Sequence, residues 1–429
     1  MNYLLFFGLV FLVATNANAG NLQNDVAAGS NIHTFLQLIW DLLKILAHTI
    51  HIDEDAGLNI TQFLEKYNYS LEQHQVTTED NYILSLHRIP HGRNNTGTKN
   101  KPVVLLVHCL ACSSMDWIWP GPNKALALLL ADLGYDVWLA NNRGNSYSMG
   151  HKTLIPKNAS YWDFSFYEKG YYDIPASIDH ILNVTGVEKI TYIGHSQGAT
   201  TGIVLTTTRP EYNDKINLMT LLSPVAYLGN ATSPMAKILS KYQSLLDLAL
   251  PFLGIHGIAY TPTIGVLGSL LCNQQSSLQP LCIVFIDLFA GFDADQVDKE
   301  KLPVFLSNTP NGVSIKDIKH YVQEMDSGHF RRFDYGKVAN IVHYGQLTPP
   351  AFNVSKITAP LAVYYAKNDF MVSLNDVTRF VNELSTFPKV LHQVEYDFFN
   401  HLDFITAKDV KSLLYDSLIE TIQKYAPVN

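Results

Sequence analysis

Residues 194–198 read Gly-His-Ser-Gln-Gly, after an apolar run at 190–193 and before a helix-prone stretch at 199–208. A serine set between glycines where a strand turns sharply into a helix restricts this chain more than any other feature. Such a turn holds the serine in a strained backbone conformation with Oγ exposed above a sheet, and only glycine lets strand and helix approach so closely. The pentapeptide alone is weak, because short patterns of common residues recur by chance. Its flanks supply the specificity. They predict that Ser196 is a nucleophile standing on an α/β sheet.

A serine nucleophile needs a base and a group to orient that base, and on such a sheet they follow in the order acid, then histidine. Residues 361–366 predict a buried strand ending in Lys367-Asn368-Asp369, and Val394-Glu395-Tyr396 predicts another that leads to Phe399-Asn400-His401. Asp369 and His401 are therefore the expected partners. His401 would take the serine proton and return it to the leaving alkoxide, while Asp369 fixes the tautomer and stabilises the imidazolium. Any one of the 16 histidines is ordinarily a core or surface residue; the ordered set carries the assignment. Asp376, in a helix-like stretch, and Asp403, two residues from His401, are the rival acids. Two backbone donors for an oxyanion are expected from Gln197 and from the loop His108-Cys109-Leu110-Ala111-Cys112 that ends the apolar run at 102–107, with Leu110 as the donor. His108 is read as ordering that loop by hydrogen bonding.

These residues belong to a longer series. It includes Asn59-Ile60-Thr61, Val76-Thr77-Thr78-Glu79-Asp80 with Tyr82-Ile83-Leu84, Arg88-Ile89-Pro90 and Asn142-Arg143-Gly144-Asn145. It continues through Trp162-Asp163-Phe164-Ser165-Phe166, Tyr172-Asp173-Ile174-Pro175-Ala176, the elbow and Phe399-Asn400-His401-Leu402-Asp403-Phe404. In this order the series resembles the acid lipases of animals, among them gastric and lysosomal acid lipase, and especially their insect members. The resemblance runs from about Asn59 to the C-terminus. It implies nucleophile Ser196, acid Asp369, base His401 and oxyanion donors Leu110 and Gln197, in agreement with the reading from the residues alone. It also implies a disulfide between Cys272 and Cys282 and a movable lid over 255–288. Three positions depart from the family pattern. Cys109 replaces a glycine beside the oxyanion loop, where a required φ > 0 would cost about 1 kcal/mol or more. Asn81 and Asn68 stand at turn-like positions, where asparagine tolerates left-handed geometry.

The 429 residues suffice for a large core, and 47% hydrophobic with 16% charged residues describes a globular chain. A net charge of −8 gives no basic footprint for nucleic acid, and no metal spacing or repeat occurs. No cofactor or metal is expected. Residues 4–13 form a short apolar segment before Ala17-Asn18-Ala19, which predicts a signal peptide over 1–19 rather than a membrane span. Sequons at Asn59, Asn68, Asn94, Asn158, Asn183, Asn230 and Asn353 fit secretion, with the lysosomal lumen as the alternative destination. Cys109 and Cys112 are read as small buried residues. Over 20–57, Ile32, Phe35, Leu36, Ile39, Leu42, Leu43, Leu46 and Ile50 recur at helical spacing. That amphipathic extension reads as a docked helix, a propeptide or a lipid contact.

The expected architecture is an α/β-hydrolase fold: a mostly parallel sheet with a helical cap inserted, divided as core 58–226, cap 227–352 and core 353–429. Strands are predicted at 102–108, 136–140, 189–194, 217–223 and 361–366. In the cap, helix-prone stretches at 235–253, 269–271 and 281–290 are separated by Pro251, Gly254, Gly257, Pro262 and Gly265 as breakers. The expected reaction is hydrolysis of lipid esters, acylglycerols first, at a lipid–water interface through an acyl-serine. Sterol or retinyl ester hydrolysis is the same-chemistry alternative, and noncatalytic lipid binding on a lipase scaffold is the alternative from a different class.

Overall fold

The computed structural model describes residues 53–94 and 101–428. The expected signal peptide and the helical spacing from Ile32 to Ile50 lie outside the described residues. A nine-stranded sheet organises the chain. β1 (Glu72–Thr77) and β2 (Tyr82–Ile89) form an antiparallel ribbon, with Asn81 at φ 74 in the turn between them. β3 (Val103–Val107), β4 (Asp136–Leu139), β6 (Ile190–His195), β7 (Ile216–Leu222), β10 (Leu361–Tyr365) and β11 (Val390–Gln393) are parallel, and the two-residue β5 (Gly150–His151) pairs with β2. The order is β1-β2-β4-β3-β6-β7-β10-β11.

Continuous apolar runs form the central strands because both faces are covered. Alternate residues of β3 divide between the two layers: Val104 and Leu106 enter one core, and Val103, Leu105 and Val107 the other. The first layer is filled by α1 (Ile60–Lys66), α2 (Leu126–Asp132) and the C-terminal α12 (Asp416–Tyr425). The second holds α3 (Ile174–Thr185), α4 (Gln197–Thr208) and α11 (Leu374–Asn382). Each fully buried Val, Leu or Ile contributes roughly 1.5–3 kcal/mol, so the sheet is a stiff platform.

Between β7 and β10 the chain adds no strand to this sheet. It forms α5 (Pro234–Lys241), α6 (Gln243–Phe252), α7 (Pro262–Leu271), α8 (Gln279–Ala290), α9 (Ile315–Ser327) and α10 (Lys337–Tyr344), with a small ribbon of β8 (Gly257–Ile258) and β9 (Val313–Ser314). Cys272 and Cys282 are joined, bracing the end of α7 against the start of α8.

Three expected breakers do not break helices. Pro251 sits in the last turn of α6 and Pro262 opens α7, where its missing N–H is not needed. Gly265 lies inside α7 because a Cβ there would stand 2.2 Å from the Ser307 carbonyl oxygen. The strand expected at 394–396 is also misplaced: β11 ends at Gln393. It lies at the sheet edge and is only half buried, so its apolar signal is weak.

Candidate active site

The tight turn from β6 into α4 comes first. Ser196 has φ 54 and ψ −115, a region that costs a non-glycine residue on the order of 1–3 kcal/mol. Its N–H donates to the Leu222 carbonyl at 3.0 Å, and its carbonyl accepts from the Thr200 N–H at 3.0 Å. The flanking glycines are steric necessities. A Cβ at Gly194 would lie 2.4 Å from the Gly198 carbonyl carbon, and one at Gly198 would lie 2.1 Å from the Val107 carbonyl oxygen.

The structure brings Ser196 together with Asp369 and His401. His401 Nε2 stands 2.8 Å from Ser196 Oγ, and Nδ1 lies 2.9 and 3.0 Å from the two Asp369 carboxylate oxygens. Asp369 Oδ1 also accepts the N–H groups of Met371 and Val372 at 2.9 and 2.8 Å. These bonds hold the carboxylate in one orientation, and with it the imidazole tautomer.

Ser223, not anticipated from sequence, completes this end. Its hydroxyl donates to Asp369 Oδ2 and lies 2.9 Å from His401 Nδ1. It follows β7, the strand between the two that lead to Ser196 and Asp369, with φ 49. A serine at that strand end was the available signal.

His401 is also fixed through its backbone. Its N–H donates to the Ala290 carbonyl at 3.2 Å, and its carbonyl lies 2.9 Å from His195 Nε2. Burial lowers His195 to about 3, so its ring is neutral and donates through Nε2. Phe289 on α8 stands edge-on to the His401 ring, with centroids 6.2 Å apart.

The rival acids have other partners. Asp376 accepts from the Ser373 hydroxyl at the start of α11 and from the Asn230 amide at 2.8 Å. Asp403 accepts the Asn400 N–H at 2.7 Å, and burial with Asp293 alongside raises it well above the usual carboxylate range.

The two expected oxyanion donors come from adjoining elements. Gln197 is the first residue of α4, where helix N–H groups lack intrahelical acceptors. Leu110 lies in the loop after β3, whose Val107 and His108 carbonyls pack against Gly198. Neither N–H has a hydrogen-bond acceptor among the described residues. His108 orders this loop: Nδ1 donates to the Cys109 carbonyl at 2.7 Å and Nε2 accepts the Asn142 N–H at 3.1 Å. Burial takes it down to about 3, so it stays neutral.

Two expectations about Cys109 are corrected here. Cys109 and Cys112 are buried, as expected of small core residues, but they are joined as a disulfide with Cα atoms 5.2 Å apart. The turn that brings them together has its left-handed residue at Ala111, φ 55, and Cys109 is not among the positive-φ residues. The strain anticipated at Cys109 is therefore absent. Asn68, φ 58, and Asn81 do take the left-handed geometry that their side chains tolerate.

Among the described residues, no cluster of three metal-ligating side chains occurs, and no helix is long and apolar enough to cross a membrane. All seven sequon asparagines are exposed.

Known proteins match this arrangement over most of the chain. A family profile described as "Partial alpha/beta-hydrolase lipase region" matches residues 60–121, and one described as "alpha/beta hydrolase fold" matches 102–249. The chain is 37% identical to Lipase 3 of Drosophila melanogaster over 366 residues, covering 84% of this chain and 92% of that protein. It is 38% identical to gastric triacylglycerol lipase of Rattus norvegicus over 367 residues, covering 85% and 91%. Against gastric triacylglycerol lipase of Homo sapiens it is 36% identical over 374 residues, covering 86% and 92%. At this identity and coverage the chain belongs to the animal acid lipase family, carboxylic ester hydrolases built on the α/β-hydrolase fold.

Proposed function

We propose that the protein is a secreted triacylglycerol lipase that works through an acyl-serine. Ser196 Oγ attacks the ester carbonyl while His401 Nε2 takes its proton, and the N–H groups of Leu110 and Gln197 receive the oxyanion. His401 then protonates the leaving alkoxide and activates the water that releases the acid. Asp369 keeps Nδ1 protonated throughout, with Ser223 holding the carboxylate.

The observation that carries this reading is the unbroken line from Ser196 through His401 to Asp369, at 2.8 and 2.9 Å. It favours turnover over noncatalytic lipid binding, which would place no such demand on three separate loops. Lipid as substrate is supported by the names of the relatives and by the outer faces of α6 and α8. There Leu248 is 75% and Phe252 89% exposed, with Leu281, Val284 and Phe285 also exposed. Apolar residues grouped in this way suit a lipid–water interface. The division into core, cap and core, with the lid over 255–288, follows from the same reading. Secretion is supported by residues 1–19, the exposed sequons and the paired cysteines.

The test is an assay of the purified glycoprotein on triacylglycerol, sterol ester and short-chain ester across pH, with Ser196→Ala alongside. Triacylglycerol turnover that vanishes in Ser196→Ala is expected. A sterol ester preferred over triacylglycerol would move the substrate assignment, and equal turnover in Ser196→Ala would remove the mechanism.

A further inference from the structure

We infer that Lys169 and Asp317 are positioning residues: a buried ion pair that locks Gln197 and so fixes the direction of its backbone N–H at the oxyanion site. This rests on the assignment of Ser196 and Gln197 above. Lys169 Nζ donates to Gln197 Oε1 at 2.7 Å and to Asp317 Oδ2 at 2.5 Å. Gln197 Nε2 reaches both Asp317 carboxylate oxygens at 3.0 Å. The three residues are at most 2% exposed. Both ends of the Gln197 amide are thus in use, and the side chain has no other place to go.

The location gives this network its consequence. Gln197 follows a serine already held in a costly conformation, and it begins α4, so any rotation of its Cα turns the N–H away from the developing charge. Lys169 opens the wide helical turn Lys169–Asp173 ahead of α3, whereas Asp317 belongs to the first turn of α9 in the cap. One turn further along α9, the Tyr321 hydroxyl lies 3.2 Å from Thr200 Oγ1, one turn into α4. The first turn of the serine helix is therefore held from the core by one charge and from the cap by the other.

Stability alone gives little reason for such a pair. Burying two charges costs several kcal/mol per ion in desolvation, and apolar replacements of similar volume are often neutral or stabilising. What an apolar pair cannot supply is a fixed donor and a fixed acceptor for a buried amide. Misdirecting a donor costs less than deleting one, which lowers kcat by about 10²–10³.

The deciding experiment uses a soluble p-nitrophenyl butyrate and counts working sites by stoichiometric labelling of Ser196 with a p-nitrophenyl phosphonate. Lys169→Met/Asp317→Leu removes both charges and frees the Gln197 amide. We expect kcat per labelled site to fall roughly tenfold with KM within about twofold, and Tm to stay within a few degrees of wild type. Asp317→Asn keeps an acceptor for Gln197 Nε2 but leaves the Lys169 charge unpaired, so it is expected to lower Tm more than the double variant and kcat about threefold; if the double variant does not fold, kcat per labelled site in the folded fraction of Asp317→Asn decides the matter. Wild-type kcat per labelled site in either folded variant, or a change confined to KM, overturns the inference. A wild-type protein that is neither labelled nor active would instead overturn the assignment of Ser196.

Discussion

α6 and α9 belong to the same stretch of chain between β7 and β10, yet they reverse the usual placement of apolar and ionisable side chains. α6 buries none of its residues and presents Leu245, Leu248 and Phe252 to solvent, whereas α9 buries Asp317, His320 and Glu324. A helix that merely covers a core does the opposite. The difference separates two surfaces of the cap, for which we propose separate tasks. α9 is bonded through polar groups to Lys169, Ser165 and the first turn of α4, while among the described residues Leu245, Leu248 and Phe252 of α6 and Leu281, Val284 and Phe285 of α8 stay exposed. Substitutions at the sheet and at α9 should therefore affect every ester, and those on α6 only aggregated ones.

The largest effects belong to the strand ends. Ser196→Ala or His401→Ala should lower ester turnover by about 10⁴-fold or more in folded protein, for soluble and emulsified substrates alike. Asp369→Asn should follow at about 10⁴-fold, whereas Asp376→Asn should stay within about tenfold of wild type because its bonds lie at the start of α11. Steady-state rates on tributyrin and on a soluble ester, normalised to folded protein, check the ranking; a mild Asp369→Asn would mean that the wrong acid was chosen.

Next in size is the α6 face itself. Leu248→Ser/Phe252→Ser should reduce hydrolysis of emulsified long-chain substrate by roughly tenfold, from loss of buried apolar area at the interface. The rate on soluble ester should not change. Equal losses on both substrates would erase the distinction between the cap's two surfaces.

A smaller contrast lies in how stability responds to pH. In the core, burial lowers His87 to about 4 and His108 and His195 to about 3. The unfolded chain then binds more protons below pH 6.5, so these groups lose stability as pH falls from 6.5 toward 3. In the cap, burial likewise lowers His320 to about 3 but also raises Glu324 well above 4.5. The folded state then keeps a proton that the unfolded state releases, so stability is lost as pH rises above 4.5. Thermal melts from pH 4 to 8 should be flatter on the acid side for His87→Gln and flatter on the alkaline side for Glu324→Gln. Unchanged slopes in both variants would show that neither group titrates differently on unfolding. Least of all, a thiol reagent should leave the oxidised enzyme unaffected, because Cys109 and Cys112 are paired; inhibition without prior reduction would mean a free sulfur at the oxyanion loop.

How much of this was legible in the sequence depends on the distance over which each signal acts. The elbow is local: a strand, two obligatory glycines and a helix within a few residues, so Ser196 and its backbone were readable. Asp369 and His401 were readable because each ends or follows a strand in a fixed order. The Lys169–Asp317 pair was not, since the partners stand 148 residues apart and each alone looks like a surface charge. Cys109 and Cys112 were misjudged because their pairing depends on a left-handed Ala111, which composition does not announce. Pro262 and Gly265 misled for a related reason. Their effect on a helix depends on position within it and on what packs against it, here the Ser307 carbonyl.

The Ala290 carbonyl, where α8 ends, accepts the N–H groups of both Phe370 and His401, and the Asn400 side chain donates to the Gly291 carbonyl at 3.0 Å. In kinematic terms, the joint at the end of α8 is mounted on the same frame as the acid and the base. Because Ala290 is the last residue of α8 itself, that helix end and Phe289 beside it are fixed directly to the loops that carry Asp369 and His401. Displacing the end of α8 would therefore disturb the proton path, so this part of the cap and the bond-breaking groups are mechanically coupled.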